Sequence, residues 1–157
     1  MREVTMEEDE YRYFDQKVKA KISSAKKKKM DVDIDTDYIY GIFLEQGKVC
    51  ALSGRPFNTH NPYINISIDR IDSSKGYVRG NVRLIWNFLN IGKGNMNDQL
   101  HEYYLLVAAE NIKKKWEEQG KVFTENPCIS ELESVSFTKK KYKSKYSRER
   151  ENMETVS

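Results

Sequence analysis

The feature that most constrains this chain lies near its middle. Ile64, Ile66 and Ile68 alternate with Asn65, Ser67 and Asp69, the two-residue period of a strand. A loop rich in Ser and Gly runs from Asp72 to Gly80, and Val82 to Trp86 begins a second strand. That strand leads into a short helical stretch around Phe88 to Ile91. Strand, loop, strand and helix thus follow one another, and polar side chains sit at their junctions. Asp69 ends the first strand, the loop returns to Asn81, and the short helix presents Asn90.

The flanks read as helical. Tyr11, Phe14, Val18, Ile22 and Ala25 fall at spacings of three and four, predicting an amphipathic helix that runs into Lys26, Lys27, Lys28 and Lys29. Val32 and Ile34 alternate with aspartates as in a short strand, and a calcium loop is disfavoured there because the required glycine and terminal glutamate are missing. Thr36 or Asp37 can cap a helix carrying Ile39, Ile42 and Phe43, which Gly47 can end. Val49 to Leu52 reads as a further strand. Asn97 or Asp98 can cap a last long helix, with Leu100, Tyr104, Val107, Ala108, Ile112 and Trp116 on its buried side. The division expected is an acidic segment 1–10, one domain 11–120, and a basic tail 121–157 with too little apolar content to fold alone.

Charge points toward a polyanion. Charged residues make up 32% of the 157 residues, and the formal net charge of +3 hides an acidic start, the lysine run at 26–29 and a basic cluster from Lys139 to Arg150. Such clusters attract phosphate and release its counterions, although lysine runs are more often plain solvated surface. The two cysteines, Cys50 and Cys128, lie far apart and outside any CxxC pair, which excludes a four-cysteine zinc site and fits a reducing, intracellular compartment. No apolar run reaches membrane-spanning length, and no signal-peptide pattern opens the chain.

Asp69 and Asn90 are the pair with chemical interest. Both carry hard oxygen donors, and one carboxylate, one amide, waters and a substrate phosphate make a shell suited to Mg²⁺. Arg70, Arg79, Arg83 and Lys93, with Lys75 and the lysine run 26–29, would bring phosphate-directed charge around such an ion. Taken singly, Asp69, Asn81 and Asn90 read as ordinary turn or cap residues.

Taken together they resemble the HNH (ββα-metal) nucleases, in the phage-type branch with an Asp-Arg-Ile-Asp…Lys-Gly-Tyr…Gly-Asn signature. Asp69-Arg70-Ile71, Asn81-Val82, Asn90 and Lys93 reproduce that family's intervals, nine from Asn81 to Asn90 and three more to Lys93. The lysine-rich helix end and Lys48-Val49-Cys50-Ala51-Leu52-Ser53-Gly54 resemble the same branch, so the likeness extends from about Tyr11 to Glu110. It implies an α+β fold, a ββα-metal core with flanking N- and C-terminal helices. It also implies an endonuclease that hydrolyses DNA phosphodiester bonds with Mg²⁺ or Mn²⁺, by nicking or double-strand cutting, of phage or mobile-element type. By resemblance Asp69 and Asn90 are the metal ligands, Asn81 steadies the loop and orients the catalytic side chain, and Lys93 contacts substrate phosphate or the backbone nearby.

The sequence departs from that family twice. The positions of the two CxxC pairs that bind structural zinc in many members are Cys50, Ser53, Trp86 and Leu89, so no structural zinc is expected and packing takes its place. The general-base histidine is Arg70, which stays protonated and suits a phosphate clamp better. His60 and Asp72 are the nearby alternatives for activating water, with Tyr77 weaker; His101 reads as a surface or packing residue. Arg70 therefore keeps open a module that binds nucleic acid or a partner without cutting. The Val78-Arg79-Gly80-Asn81 stretch adds a junction-resolving nuclease as a variant. The expected partner is DNA, with RNA as an alternative and a protein partner for the tail; the expected location is the cytoplasm, of the host if the chain is phage-encoded.

Overall fold

A computed structural model describes residues 6–121 of the chain. Four helices and four short strands follow in the order α1 (Met6–Lys27), β1 (Val32–Asp33), α2 (Thr36–Glu45), β2 (Ile66–Arg70), β3 (Tyr77–Val78), β4 (Val82–Trp86), α3 (Asn87–Lys93) and α4 (Asp98–Glu118). β2 and β4 pair antiparallel, from Ile66 opposite Trp86 to Arg70 opposite Val82. β1 and β3 form a separate parallel pair, Val32 with Tyr77 and Asp33 with Val78. The expected tail and its basic cluster, like Cys128, lie outside the described residues.

One apolar core joins these pieces. Phe14 and Val18 of α1, Ile39 and Phe43 of α2, Ile66 and Ile68 of β2, Leu84 and Ile85 of β4, and Leu89 of α3 are all buried in it. The Phe14 and Phe43 rings meet at 4.7 Å, which fixes α1 across α2. Gln46 ties the end of α2 to the sheet, accepting from the Leu84 N–H and donating to the Val49 and Leu84 carbonyls.

β2 is buried on both faces, and that burial shapes the centre. Ile66 and Ile68 face the core, while Ser67 and Asp69, the polar half of the alternation, are covered as well. α3 and the start of α4 supply the cover: Asn90 bonds to Ser67, Lys93 to Asp69, and Asp98 shares both cations with Asp69. A charged residue so placed is stable only with partners.

Several expectations from the sequence need correction. α1 starts at Met6, ahead of the Tyr11 start of the periodic pattern, and Glu8 and Asp9 suit a helix N-terminus. Glu10 is buried and bonded to Lys48 and Tyr40. The cap of α2 is Asp35, which accepts from the Tyr38 N–H, in place of Thr36 or Asp37. Val49 to Leu52 is no strand: only an isolated bridge joins Val49 to Pro56, because Gly54 N–H turns back onto the Cys50 carbonyl. β3 interrupts what reads in the sequence as plain loop.

The face assigned to the last helix is also corrected in part. Asn97 caps α4 as expected, but Leu100, Tyr104, Val107, Ala108 and Ile112 are exposed, while His101 is buried and Leu105 and Trp116 are half-buried. Apolar residues occur all round this helix, so periodicity alone could not choose the side that meets the domain. Among the described residues no helix is long and apolar enough to cross a membrane.

Candidate functional site

Asp69 is the centre of a buried ion cluster. At the end of β2 its residue is 3% exposed, and both carboxylate oxygens meet cations: Lys93 Nζ at 3.1 Å from Oδ1 and 3.0 Å from Oδ2, and Arg83 Nε at 2.9 Å from Oδ2. Arg83 sits directly across the ladder on β4, while Lys93 comes from the last turn of α3, where the helix dipole favours a cation. Asp98, in the first turn of α4, closes the cluster with Oδ1 at 2.5 Å from Arg83 Nη2 and 3.0 Å from Lys93 Nζ.

The Lys93 ammonium is enclosed. Its side chain has no solvent exposure, and it also donates to the Arg70 carbonyl at 2.6 Å and lies 3.4 Å from the Ile71 carbonyl. His101 packs beside the cluster, and its Nδ1 is buried without a hydrogen-bond partner. Burial and then the Lys93 charge hold the His101 pKa below its usual value, against the opposing pull of Asp69. Burial raises the pKa of Asp98, but hydrogen bonding and charge from Lys93 and Arg83 outweigh it, so the group stays below the usual carboxylate range.

Asn90 lies next to this cluster without joining it. Its amide nitrogen donates to Ser67 Oγ at 2.7 Å and to the Ile68 carbonyl at 3.2 Å, so the residue is pinned to β2 one peptide before Asp69. The donor set therefore fails as a divalent-cation site in this arrangement. Mg²⁺ and Mn²⁺ take carboxylate and other oxygen ligands, and a neighbouring fixed cation opposes their binding. Here Asp69 has both oxygens committed to an ammonium and a guanidinium, and another positive ion would be repelled by each. No cluster of three or more His, Cys, Asp or Glu suited to a metal occurs among the described residues.

Asn81 and Arg70 hold the loop between the strands. Asn81 Oδ1 accepts from the Asp72 N–H at 2.9 Å, and its Nδ2 donates to the Asp72 and Gly76 carbonyls. Arg70 donates to the Ser73 and Lys75 carbonyls and to Asn95 Oδ1, with its guanidinium 5.5 Å from the Tyr77 ring centre. Those bonds engage the head group that was to clamp phosphate.

The alternatives for a general base are no better placed. His60 is exposed in the loop before β2, its backbone N–H bonded to Asn58, and no hydrogen bond or ion pair joins its ring to Asp69, Arg70 or Asn90. Asp72 accepts from Ser74 Oγ and N–H, which lowers its pKa and weakens it as a base.

The basic residues divide into two groups. Arg79 is paired with Asp33 and Asp35, Lys75 with Asp72, and Arg83 and Lys93 lie inside the cluster. Lys26 to Lys29 are all exposed. The β1–β3 pairing carries the chain from this run straight to the 71–81 loop, where the Tyr77 N–H donates to the Asp31 carbonyl at 2.9 Å. Contact is so close that a Cβ on Gly76 would stand 2.1 Å from the Asp31 oxygen. Lys21 Nζ also lies 5.2 Å from the Tyr77 ring centre, opening a basic stretch that runs along α1 into the lysines.

Cys50 marks the other notable spot. The Ser53 and Trp86 N–H groups point at its Sγ at 3.4 and 3.3 Å, and Leu89 is buried in the adjoining core. Hydrogen bonds to one sulfur thus gather three of the four positions named above for the zinc pairs, and Leu89 lies in the same apolar core.

Asp98 is the residue of the cluster that sequence reasoning missed. It was visible only as a possible cap, and an acidic first-turn residue carries no sign of which strand it will face.

No family model matches the chain. An uncharacterized 29.0 kDa protein of Enterobacteria phage T4, from the dda-modA intergenic region, is 37% identical over 71 residues. That match takes in 43% of this chain and spans only 28% of the phage protein. Among solved structures, the rare-cutting HNH restriction endonuclease PacI is similar at a TM-score of 0.45 and 21% identity, over 66% of this chain and 79% of that one.

Proposed function

We propose that the chain is a DNA-directed domain on an HNH-type scaffold, and that it binds DNA without a divalent cation between Asp69 and Asn90. The observation that supports binding most is the β1–β3 pairing, which joins the segment just after four exposed lysines to the 71–81 loop with Lys75 and Tyr77. A row of exposed ammonium groups, with no ion pair among the described residues, near a half-buried tyrosine suits a phosphate backbone, which rewards charge without reading sequence. The HNH-type assignment is supported by the Asp69, Asn81, Asn90 and Lys93 intervals, and by α3 resting on the β2–β4 pair.

A second reading is a divalent-metal-dependent endonuclease that hydrolyses DNA phosphodiester bonds, of phage mobile type or junction-resolving. One observation favours it: Asn90 lies against the Ile68 carbonyl, so the carboxylate and the amide belong to neighbouring positions. The ion pairs on Asp69 count against it, and Arg70, turned onto its own loop, leaves water without an evident base.

Fluorescence anisotropy of a labelled duplex tests the binding proposal. Wild type is expected to bind in EDTA at least as tightly as in Mg²⁺, with affinity falling as salt rises. Alanine at Lys26, Lys27, Lys28 and Lys29 together should weaken binding and flatten that salt dependence by up to about 0.9 in slope per lost phosphate contact. Wild-type binding that needs Mg²⁺, or a quadruple variant that binds as tightly as wild type, would overturn the proposal.

A further inference from the structure

We infer that the Lys93 ammonium is the resident cation of this centre, standing in an oxygen cage that would otherwise take a hard divalent ion. Five oxygens surround Nζ: Asp69 Oδ1 and Oδ2, the Arg70 and Ile71 carbonyls, and Asp98 Oδ1, all within 3.4 Å. They converge from the end of β2, the peptides after it and the start of α4. An ammonium has three protons for these acceptors, so some are shared. Carboxylates and backbone carbonyls together are also the usual shell of Ca²⁺ or Mn²⁺.

Charge counting supports the same assignment. Asp69 and Asp98 balance Arg83 and Lys93, so the buried cluster is neutral as it stands. Adding a divalent ion beside Lys93 would leave two uncompensated positive charges in a largely buried site. Removing the ammonium leaves one net negative charge and a vacated cage, which is what a metal ion needs. The wild-type fold therefore requires no metal at Asp69, and loss of Lys93 creates a metal site. This inference rests on the metal-free half of the proposed reading, whereas DNA binding through the lysine run can fail separately.

Mn²⁺ is the probe, read by the electron paramagnetic resonance signal of the free ion and by thermal unfolding. Wild type should leave the signal unchanged and melt at one temperature in EDTA and in Mn²⁺. Lys93→Ala should melt lower in EDTA, recover by several degrees in Mn²⁺ and deplete the free-ion signal. Adding Asp69→Asn to Lys93→Ala should abolish both effects. Mn²⁺ uptake by wild type that Asp69→Asn removes would overturn the inference, as would a folded Lys93→Ala that takes up no Mn²⁺. If Lys93→Ala fails to fold in either buffer, the wild-type comparison with Asp69→Asn decides.

Discussion

The Lys93 ammonium and the Asp69 carboxylate, brought together from a helix end and a strand end, meet with both carboxylate oxygens within 3.1 Å of Nζ and neither side chain more than 3% exposed. Each charge is tolerable only because the other is there. Asp69→Ala is therefore expected to cost about 3–5 kcal/mol of stability, by stranding Lys93 and Arg83 without their shared partner. Urea denaturation of Asp69→Ala, Lys93→Met and the double variant measures this. The double variant should lose less than the sum of the singles, and additivity would remove the pairing from the account.

Arg70 gives a second prediction. Its guanidinium bonds two loop carbonyls and Asn95, so Arg70→Ala should release the 71–81 loop while the β2–β4 ladder persists. Hydrogen exchange should quicken at Lys75, Tyr77 and Asn81, and stay slow at Leu84 and Ile85. Arg70→Lys should not restore protection, because an ammonium cannot span the same carbonyls with one planar fork. Unchanged exchange in Arg70→Ala would free the side chain for the phosphate role first suggested by its sequence position.

His101 predicts the acid limb of stability. Burial and Lys93 lower its folded-state pKa from 6.5, so below that pH the unfolded chain binds the proton more readily than the folded one. Stability from this group is complete above about pH 6.5 and is lost as the pH falls through that value toward the lower folded pKa. Chemical denaturation of wild type and His101→Leu across this range should show a steeper acid loss in wild type. Parallel profiles would contradict it. Asp98, also lowered, acts in a separate window below the ordinary carboxylate value of 3.8.

Lys17 is a destabilising charge. Burial, with Lys21 nearby, lowers its pKa to about 8, and its Nζ lies 3.2 Å from the Tyr13 hydroxyl. At pH 7 the folded protein carries this cost, and the cost fades as the pH rises from about 8 toward 10.5. Lys17→Met should therefore stabilise the domain at pH 7 by on the order of 1 kcal/mol, after allowance for solvent screening. The gain should shrink at high pH, and a melting temperature at or below wild type at pH 7 would refute it.

Local pattern made much of the fold legible. The Ile64–Ile68 alternation located β2, the Val82 run located β4, and Phe14, Val18, Ile39 and Phe43 stood out by helical spacing. Pairing between distant segments was hidden: two-residue strands such as β1 and β3 carry too little pattern to announce a parallel partner forty-five positions away. At the candidate site, Asp69, Asn81, Asn90 and Lys93 were nameable from their intervals, but their mutual commitments were not. Intervals along strands and helices say which residues are neighbours. They do not say whether a neighbouring lysine will point outward to phosphate or inward to the carboxylate, and that choice separates a metal centre from an ion pair.

A supercoiled-plasmid assay in Mg²⁺ and in Mn²⁺ tests this choice most directly, with folded Asn90→Ala as the control because it leaves the buried ion pairs in place. Wild type is expected to bind the plasmid and leave it supercoiled in both metals. Nicked or linear product from wild type that disappears in Asn90→Ala would contradict it.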